Sequence, residues 1–463
     1  MNVAALIFLI VAAGSVVLLP RRWAPIPLLV SCCYMTLGQG IHLGPLTLPV
    51  FRLVLAAGFV RVVLRGERPA GGINAIDKLI VVWALWMIFA GFFHEWNPGS
   101  GPIYASGFAF NVLLVYFLTR AWCESLSDLM AVLRTVAWLL VPVAAAMVTE
   151  HVLQKEYFGL LFGGESDGSV IWRDGKIRAR GPFAHPILAG TVGAVCFPLM
   201  IGLWRQYRLS ALVGMAACLT MVIASSSSGP LMSLFIGILG LFMWSHRRWL
   251  RAVRWALVGA YLCAEVLMSR PAYYLMSKFD LTGSSTGWHR SRLIEAAIEN
   301  FSDWWLFGTD YTFHWIGIAV DEAGRHSDIV NYYLWFGVIG GFPAMLLLIA
   351  MIWRAFVWVG TIVASDPAEF REHRFMIWCL GSGLLAHTVT SLSVSYMDQS
   401  LTFFWLNIAA ISSMHSIVTT SSTGKVPEPT PKAKRENPLA GRLGPRSSLP
   451  GGRQGWQPRR TGQ

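Results

Sequence analysis

Charge is what this chain has least of. Only 13% of its 463 residues are Asp, Glu, Lys or Arg, where a soluble chain carries about 25%. That scarcity, beside 55% hydrophobic residues, excludes an ordinary soluble globular class. Alternating apolar and polar residues over ten-residue strands are also missing, which excludes a transmembrane barrel. The seven cysteines form no CxxC and no Cys/His ligand spacing, and six of them fall inside apolar runs. Neither a disulfide framework nor a zinc site is expected; these are small packed hydrophobes. No acidic ligand cluster is present to argue for a metal, and no cofactor is expected.

What is present is a succession of long apolar runs. About 20 apolar residues cross the ~30 Å hydrocarbon core as a helix, and lipid leaves the backbone no other partner than itself. The expected fold class is therefore all-α, a polytopic membrane helix bundle of about 12–13 spans. The spans are expected at about 3–20, 25–42, 45–64, 77–94, 102–120, 128–150, 185–204, 209–226, 229–245, 252–268, 328–353, 374–392 and 398–418. The second is the weakest, because Pro25, Pro27 and Gly38 interrupt it. The divisions that follow are 1–150, N-terminal helices; 151–184, a first polar segment; 185–268, central helices; 269–327, a large polar loop; 328–418, C-terminal helices; and 419–463, a tail. The tail holds nine Lys/Arg against Glu428 and Glu436, is rich in Pro, Gly and Ser, and reads as disordered and cytoplasmic, touching anionic lipid rather than nucleic acid.

Charge also sets an orientation. Arg21 and Arg22 follow the first apolar run and nothing basic precedes it, the reverse of a secretory signal, so an uncleaved helix with its N-terminus outside is expected. Arg61, Arg65, Arg68, Arg120, Arg205, Arg208, the group His246 to Arg254, Arg354, Arg371, Arg374 and the tail then all fall inside. The same assignment puts segments 151–184 and 269–327 outside, and segments of that length are often functional.

Four clusters could carry chemistry. Arg178, Arg180 and His185 stand with Lys176 and Gly181 at the mouth of the seventh span. They suit either an interfacial anchor or an anion site in which arginines fork onto phosphate and the Gly181 region lets backbone amides approach. Arg290 and Arg292 precede an amphipathic stretch, Leu293 to Ile298, and then Trp304 and Trp305. This reads as a short interfacial helix, either a plain re-entry element or one whose first turn favours anions. His326 and Asp328 enter the eleventh span; His326 could accept a proton, with Asp328 orienting or replacing it, or could be a satisfied edge residue. Arg52, His387 and Asp398 complete a polar outward cavity, since charges at such depths tend to face the bundle interior.

Taken together these residues resemble a known family. The run from Arg178 through Arg180-Gly-Pro-Phe-Ala-His185-Pro186, before a Gly-rich span, is similar to the segment that opens the core of the O-antigen ligase and O-antigen/exopolysaccharide polymerase superfamily. Arg290, eighteen residues before Gly308, resembles that family's arginine–helix–"PLLGxG" element, with Trp in place of the usual Pro. His326-Ser-Asp328-Ile-Val-Asn331, then Gly337-Val-Ile-Gly340-Gly341, resembles its His/Asn and Gly-x-x-Gly element. The resemblance covers roughly 180–345. It departs where many members carry Ser-Arg, since Ser225 to Ser228 stand there, so that arginine's role is absent or taken over elsewhere.

The resemblance implies glycan transfer from an undecaprenyl-diphosphate-linked donor at the periplasmic face of a bacterial inner membrane, without metal. The acceptor is another lipid-linked repeat unit in a polymerase, the reading favoured by the His-Ser-Asp-x-x-Asn form, or lipid A–core in a ligase. Cations and a base on one membrane face then suggest that Arg180 and Arg290, with Arg178 or Arg292 assisting, bind the leaving diphosphate, and that His326 accepts the proton of the attacking hydroxyl or orients it, with Asp328 the reserve base. The resemblance admits a flippase and a chain-length regulator as partners beside membrane lipid, and no nucleic acid. A transporter of lipid-linked sugars would instead show inverted repeats and midplane charge. A different polyprenyl glycosyltransferase would carry an acid in the first outer loop, and 38–44 has none.

Overall fold

The computed structural model describes residues 1–422 apart from 45, 95–99, 165–167, 174, 278–285, 317–326, 366–370 and 372. In chain order the first half comprises α1 (Val3–Leu18), α2 (Pro25–Tyr34), a hairpin β1 (Gly40–Leu43) and β2 (Leu46–Pro49), α3 (Val50–Arg65), α4 (Ala75–Ala90), α5 (Ser100–Trp122), α6 (Leu126–Leu153) and α7 (Tyr157–Phe162). A second hairpin, β3 (Ile171–Arg173) and β4 (Lys176–Arg178), precedes α8 (Pro186–Gly202), α9 (Arg208–Ala224), α10 (Ser228–Phe242) and α11 (Leu250–Leu267). Then come α12 (Thr286–Glu299), the single turns α13 (Phe301–Trp304) and α14 (Phe313–Ile316), α15 (Tyr332–Ser365), α16 (Arg374–Thr390) and α17 (Leu401–Ser422). The chain is an α-helical membrane protein, its only described sheets being the two antiparallel hairpins.

A helix falls in each of the thirteen expected runs. Five, at 75–93, 101–122, 126–153, 332–365 and 401–420, are long and apolar enough to cross a membrane by themselves, and α10 with α11 makes a sixth if that bent pair is one span. α1, α8 and α9 are apolar but shorter. α11 leaves α10 at 101°, whereas the sequence suggested a tenth span running back beside the ninth; no residue of α11 is buried.

The second run shows how a short helix can still traverse the bundle. Pro25 and Pro27 do not interrupt α2; they open it, because first-turn amides have no intrahelical acceptor to lose. Its ten residues rise about 15 Å, and Met35–Gln39 continue in non-helical chain for about as far again. Gln39 thereby reaches the start of α1, where its Oε1 accepts from the Asn2 amide at 2.8 Å. At the opposite end, Arg61 of α3 donates to the carbonyls of Val16 and Leu19, and Arg65 to that of Val17. α1 and α3 run one way and the 24–39 stretch runs back.

These contacts define two ends. A basic end holds Arg21 beside Glu124, the buried pair Arg61–Glu67 and the buried pair Arg120–Asp77, the last tied by Tyr116 to Ser412 of α17. A loop end holds both polar segments. One connecting stretch, 391–400, touches the first of them and the chain that leads from the second into α15: Asp398 Oδ2 accepts from the Ala184 amide at 2.9 Å, and Ser395 Oγ donates to the Ile329 carbonyl at 2.6 Å.

α8 is the axle of the core. It is apolar on all sides and buries fourteen of its seventeen residues, the pattern of an element enclosed by neighbours. Close packing on α9 depends on Gly193, where a β-carbon would stand 2.7 Å from the Cys218 carbonyl oxygen. Small residues of this kind let membrane helices approach backbone to backbone.

α15 is broken, not straight. Gly341 has φ +76° and ψ 173°, which lets its two flanking backbone groups leave the helical ladder. Phe342 N–H, which an unbroken helix would give to Val338, donates to the Trp305 carbonyl at 2.9 Å, and the Val338 carbonyl accepts from Thr309 N–H at 2.7 Å. Segment 305–309 is thus stitched into the break. A side chain at Gly308 would meet the Val338 oxygen at 2.3 Å, and one at Gly341 would meet the Leu306 oxygen at 1.9 Å. The two glycine motifs of the sequence are partners in one joint.

Candidate functional site

The first cluster is built on a buried carboxylate that sequence reasoning passed over. Glu150, 1% exposed near the end of α6, accepts the amides of Arg180 (2.9 Å) and Gly181 (2.7 Å). The expectation that the Gly181 region offers amides to an anion is therefore corrected: with φ +54° the chain turns its amide back onto Glu150. A lone acid inside an apolar run was the available signal, since such residues are retained only for a partner or a function.

Around this anchor the chain is held at three more points. The Ala179 amide donates to the Ala224 carbonyl at 3.1 Å. Arg178 Nη2 donates to Ser227 Oγ at 2.6 Å, so the serine turn 225–228 holds this arginine in place. Asp398, 2% exposed, fixes Ala184 and also accepts from its own Ser400 amide.

His185 caps α8, its Nδ1 accepting from the Ile187 amide at 3.2 Å. Its pKa is lowered to about 4, first by burial and then by the positive charge of Arg178, Arg180 and Arg173. Three arginines thus contribute positive charge at the mouth of α8. Arg173, on β3, was not among the expected site residues.

The second cluster lies across the 391–400 stretch. α12 carries Arg290 in its N-terminal half and buries Leu293, Ala296 and Ala297. His289 Nε2 donates to the Asp328 carbonyl at 3.3 Å, and burial raises the Asp328 carboxyl above its usual range against the opposing pull of His289. Arg292 is engaged on its own helix, by Glu295 at 2.5 Å and Glu299 at 3.3 Å. Trp305 is 51% exposed as an interfacial residue would be, but Trp304 is a core residue that donates to the Ala297 carbonyl and packs on Gly337. His326 lies outside the described residues. Ser395 and Asp398, which contact the two clusters, are three residues apart, so their α-carbons are at most about 11 Å apart.

The remaining expected cavity residues are occupied by internal bonds. Arg52 donates to Asn111 Oδ1 and the Thr47 carbonyl. His387, 1% exposed, shares a 2.7 Å hydrogen bond with the Tyr396 hydroxyl. A cavity of about 560 Å³ does open at the loop end, over the stitched 305–309 segment, with His94, Asp303, Asp310, Tyr311 and His314 among its walls. The chain matches no protein-family model and no curated protein.

Proposed function

We propose that this protein transfers a glycan from an undecaprenyl-diphosphate donor to a sugar hydroxyl, polymerising repeat units of a surface polysaccharide. The observation that carries the proposal is the gathering of cations around the mouth of α8: Arg178 is held by Ser227, the Arg180 amide by buried Glu150 and the Ala184 amide by buried Asp398, and the charges of Arg178, Arg180 and Arg173 are all felt at His185. Fixed cations at one membrane face suit a diphosphate, whose oxygens accept forked hydrogen bonds. They act on the charge the diphosphate gains as the glycosidic bond breaks, and a preorganised site does this without reorganising at the moment of reaction.

In this reading Arg180 and Arg290, assisted by Arg178 or Arg292, hold the leaving diphosphate. His326 takes the proton of the attacking hydroxyl, with Asp328 as the reserve base. A carboxyl whose pKa is raised by burial is a stronger base than a solvated one. In this reading the N-terminus and the loop end face the periplasm and the basic end faces the cytoplasm, in keeping with the arginines of the short connections. The donor's polyprenyl tail enters from lipid beside the arginine cluster.

The test is Arg180→Ala and Arg290→Ala in cells, with surface glycan and lipid-linked intermediates measured at matched protein level. Loss of product with accumulated single repeat units supports polymerisation. Unattached long polymer would assign the ligase reaction to lipid A–core instead. Undiminished product from both variants would refute the site.

A further inference from the structure

At the basic end, away from both arginine clusters described above, the divergence of α11 from the bundle leaves two adjoining cavities. One, of about 510 Å³, is walled by Arg247, Arg248 and Arg374 with Ser245. The other, of about 450 Å³, is almost wholly apolar, lined by Trp353, Phe356 and Leu385 with Arg254 at its edge. Leu250, Gly360 and Trp378 line both, so the cationic pocket adjoins the apolar crevice. No carboxylate is among the described residues lining either one.

The sequence concentrates the same chemistry. Arg247, Arg248, Arg251 and Arg254 fall within eight residues, interleaved with Trp249 and Trp255, which are 59% and 70% exposed. Exposed tryptophans beside arginines mark the headgroup level of a bilayer, and basic pockets between membrane helices hold anionic headgroups. Arg247 is already oriented, its guanidinium lying 4.5 Å from the Trp244 ring centroid and donating to the Trp244 carbonyl.

We infer that this pair of cavities is a specific binding site for an anionic phospholipid, its phosphate held by Arg247 and Arg248 and one acyl chain laid in the crevice between α11 and the α15–α16 pair. The lipid fills the space at the root of α11, no residue of which is buried. Charge complementarity selects the headgroup and the apolar walls select the chain. A soluble phosphate would satisfy only the first pocket, and a peptide helix would leave the arginines without a partner.

Gly360 gives a clean test, because a β-carbon built there meets nothing within 4 Å. Gly360→Leu places a side chain at the junction of the two cavities without straining α15, and leucine is the better helix former. The purified full chain is titrated with phosphatidylglycerol and with phosphatidylcholine of the same chains, and bound lipid is counted by native mass spectrometry. The wild type is expected to retain one phosphatidylglycerol in preference to phosphatidylcholine. An arginine near an anionic lipid is worth about fivefold in affinity. The double variant R247Q/R248Q should therefore bind phosphatidylglycerol about 25-fold more weakly with phosphatidylcholine unchanged, and Gly360→Leu should weaken both. Equal retention of the two lipids by the wild type, or a R247Q/R248Q variant that binds like it, overturns the proposal. So does a dimer that Gly360→Leu dissociates, which would give the groove to a second copy of the chain. Melting temperatures within a few degrees of wild type are required of both variants; if R247Q/R248Q fails this, the single R248Q, expected at about fivefold, decides.

Discussion

Glu150→Gln is the sharpest perturbation of the arginine cluster, because it changes one atom and no volume. Each carboxylate oxygen of Glu150 takes one amide, Oε1 from Gly181 at 2.7 Å and Oε2 from Arg180 at 2.9 Å. Glutamine keeps one acceptor and turns an NH₂ toward the other amide. One charge-assisted bond, worth about 1.5–3 kcal/mol, is lost, and a buried N–H is left facing a donor at about 1–3 kcal/mol. Partial relaxation of the turn at Gly181 offsets some of this, and we expect the docked form of 179–181 to lose about 2–4 kcal/mol, within the range of those two contributions. That is about thirty- to thousandfold in the opening equilibrium. Hydrogen exchange followed by mass spectrometry reads it directly, as faster exchange at Arg180 and Gly181, with the amides of α8 unchanged. Glycan transfer should fall with it, since Arg178 and Arg180 lose their fixed positions. Unchanged exchange at 180 and 181 in a folded Glu150→Gln protein would refute the account of how the cluster is held.

Other consequences follow from single features. His185 is neutral in the folded protein and its pKa is about 4, below the ordinary value of 6.5. The unfolded chain therefore binds the proton first. Stability should be constant above pH 6.5 and fall as pH drops from about 6.5 toward 4; His185→Asn, which keeps a cap acceptor, should flatten that part of a melting-temperature profile. Gly341→Ala forces a side chain onto the Leu306 oxygen, 1.9 Å away, at a φ of +76°. Backbone strain of about 1–3 kcal/mol plus two broken stitch bonds at about 1 kcal/mol each should cost about 3–5 kcal/mol in detergent unfolding. Gly360→Ala, with open space around it, should cost nothing or stabilise. Ser227→Ala removes the 2.6 Å acceptor of Arg178, and a hydrogen bond to a charged group is worth about 1.5–3 kcal/mol. Melting temperature should fall with that loss, and donor affinity should weaken as Arg178 is freed from its fixed position.

The helices were legible because a lipid environment demands long apolar runs, and every expected run contains one. The arginines of the short connections do gather at one end and both polar segments at the other. What the sequence hid was non-local. Gly308 and Gly341 read as two separate short motifs, and nothing local says that one fills the gap made by the other. Pro25 and Pro27 looked like breaks because a proline's effect depends on which turn of the helix it occupies. Trp304 and Trp305 are neighbours in sequence yet face the core and the surface, a distinction set by the turn between α13 and α15. Glu150 was visible as a lone acid in an apolar run, but its role appears only when Arg180 and Gly181, thirty residues on, fold back onto it. Arg178 and Arg180 were legible as cations at a span mouth; that Arg173 joins them depends on the β3–β4 hairpin, which the charge pattern does not encode.

The central claim is chemical, and one reconstituted reaction tests it most directly. Purified protein is mixed in detergent or lipid with an undecaprenyl-diphosphate-linked oligosaccharide as both donor and acceptor, and products are resolved by mass spectrometry. The account predicts lipid-linked glycans extended by whole repeat units together with an equal number of released undecaprenyl diphosphates, and no extension with Arg180→Ala. Donor left intact by a folded wild-type protein, whether it stays in place or only crosses the bilayer of a vesicle, would contradict it.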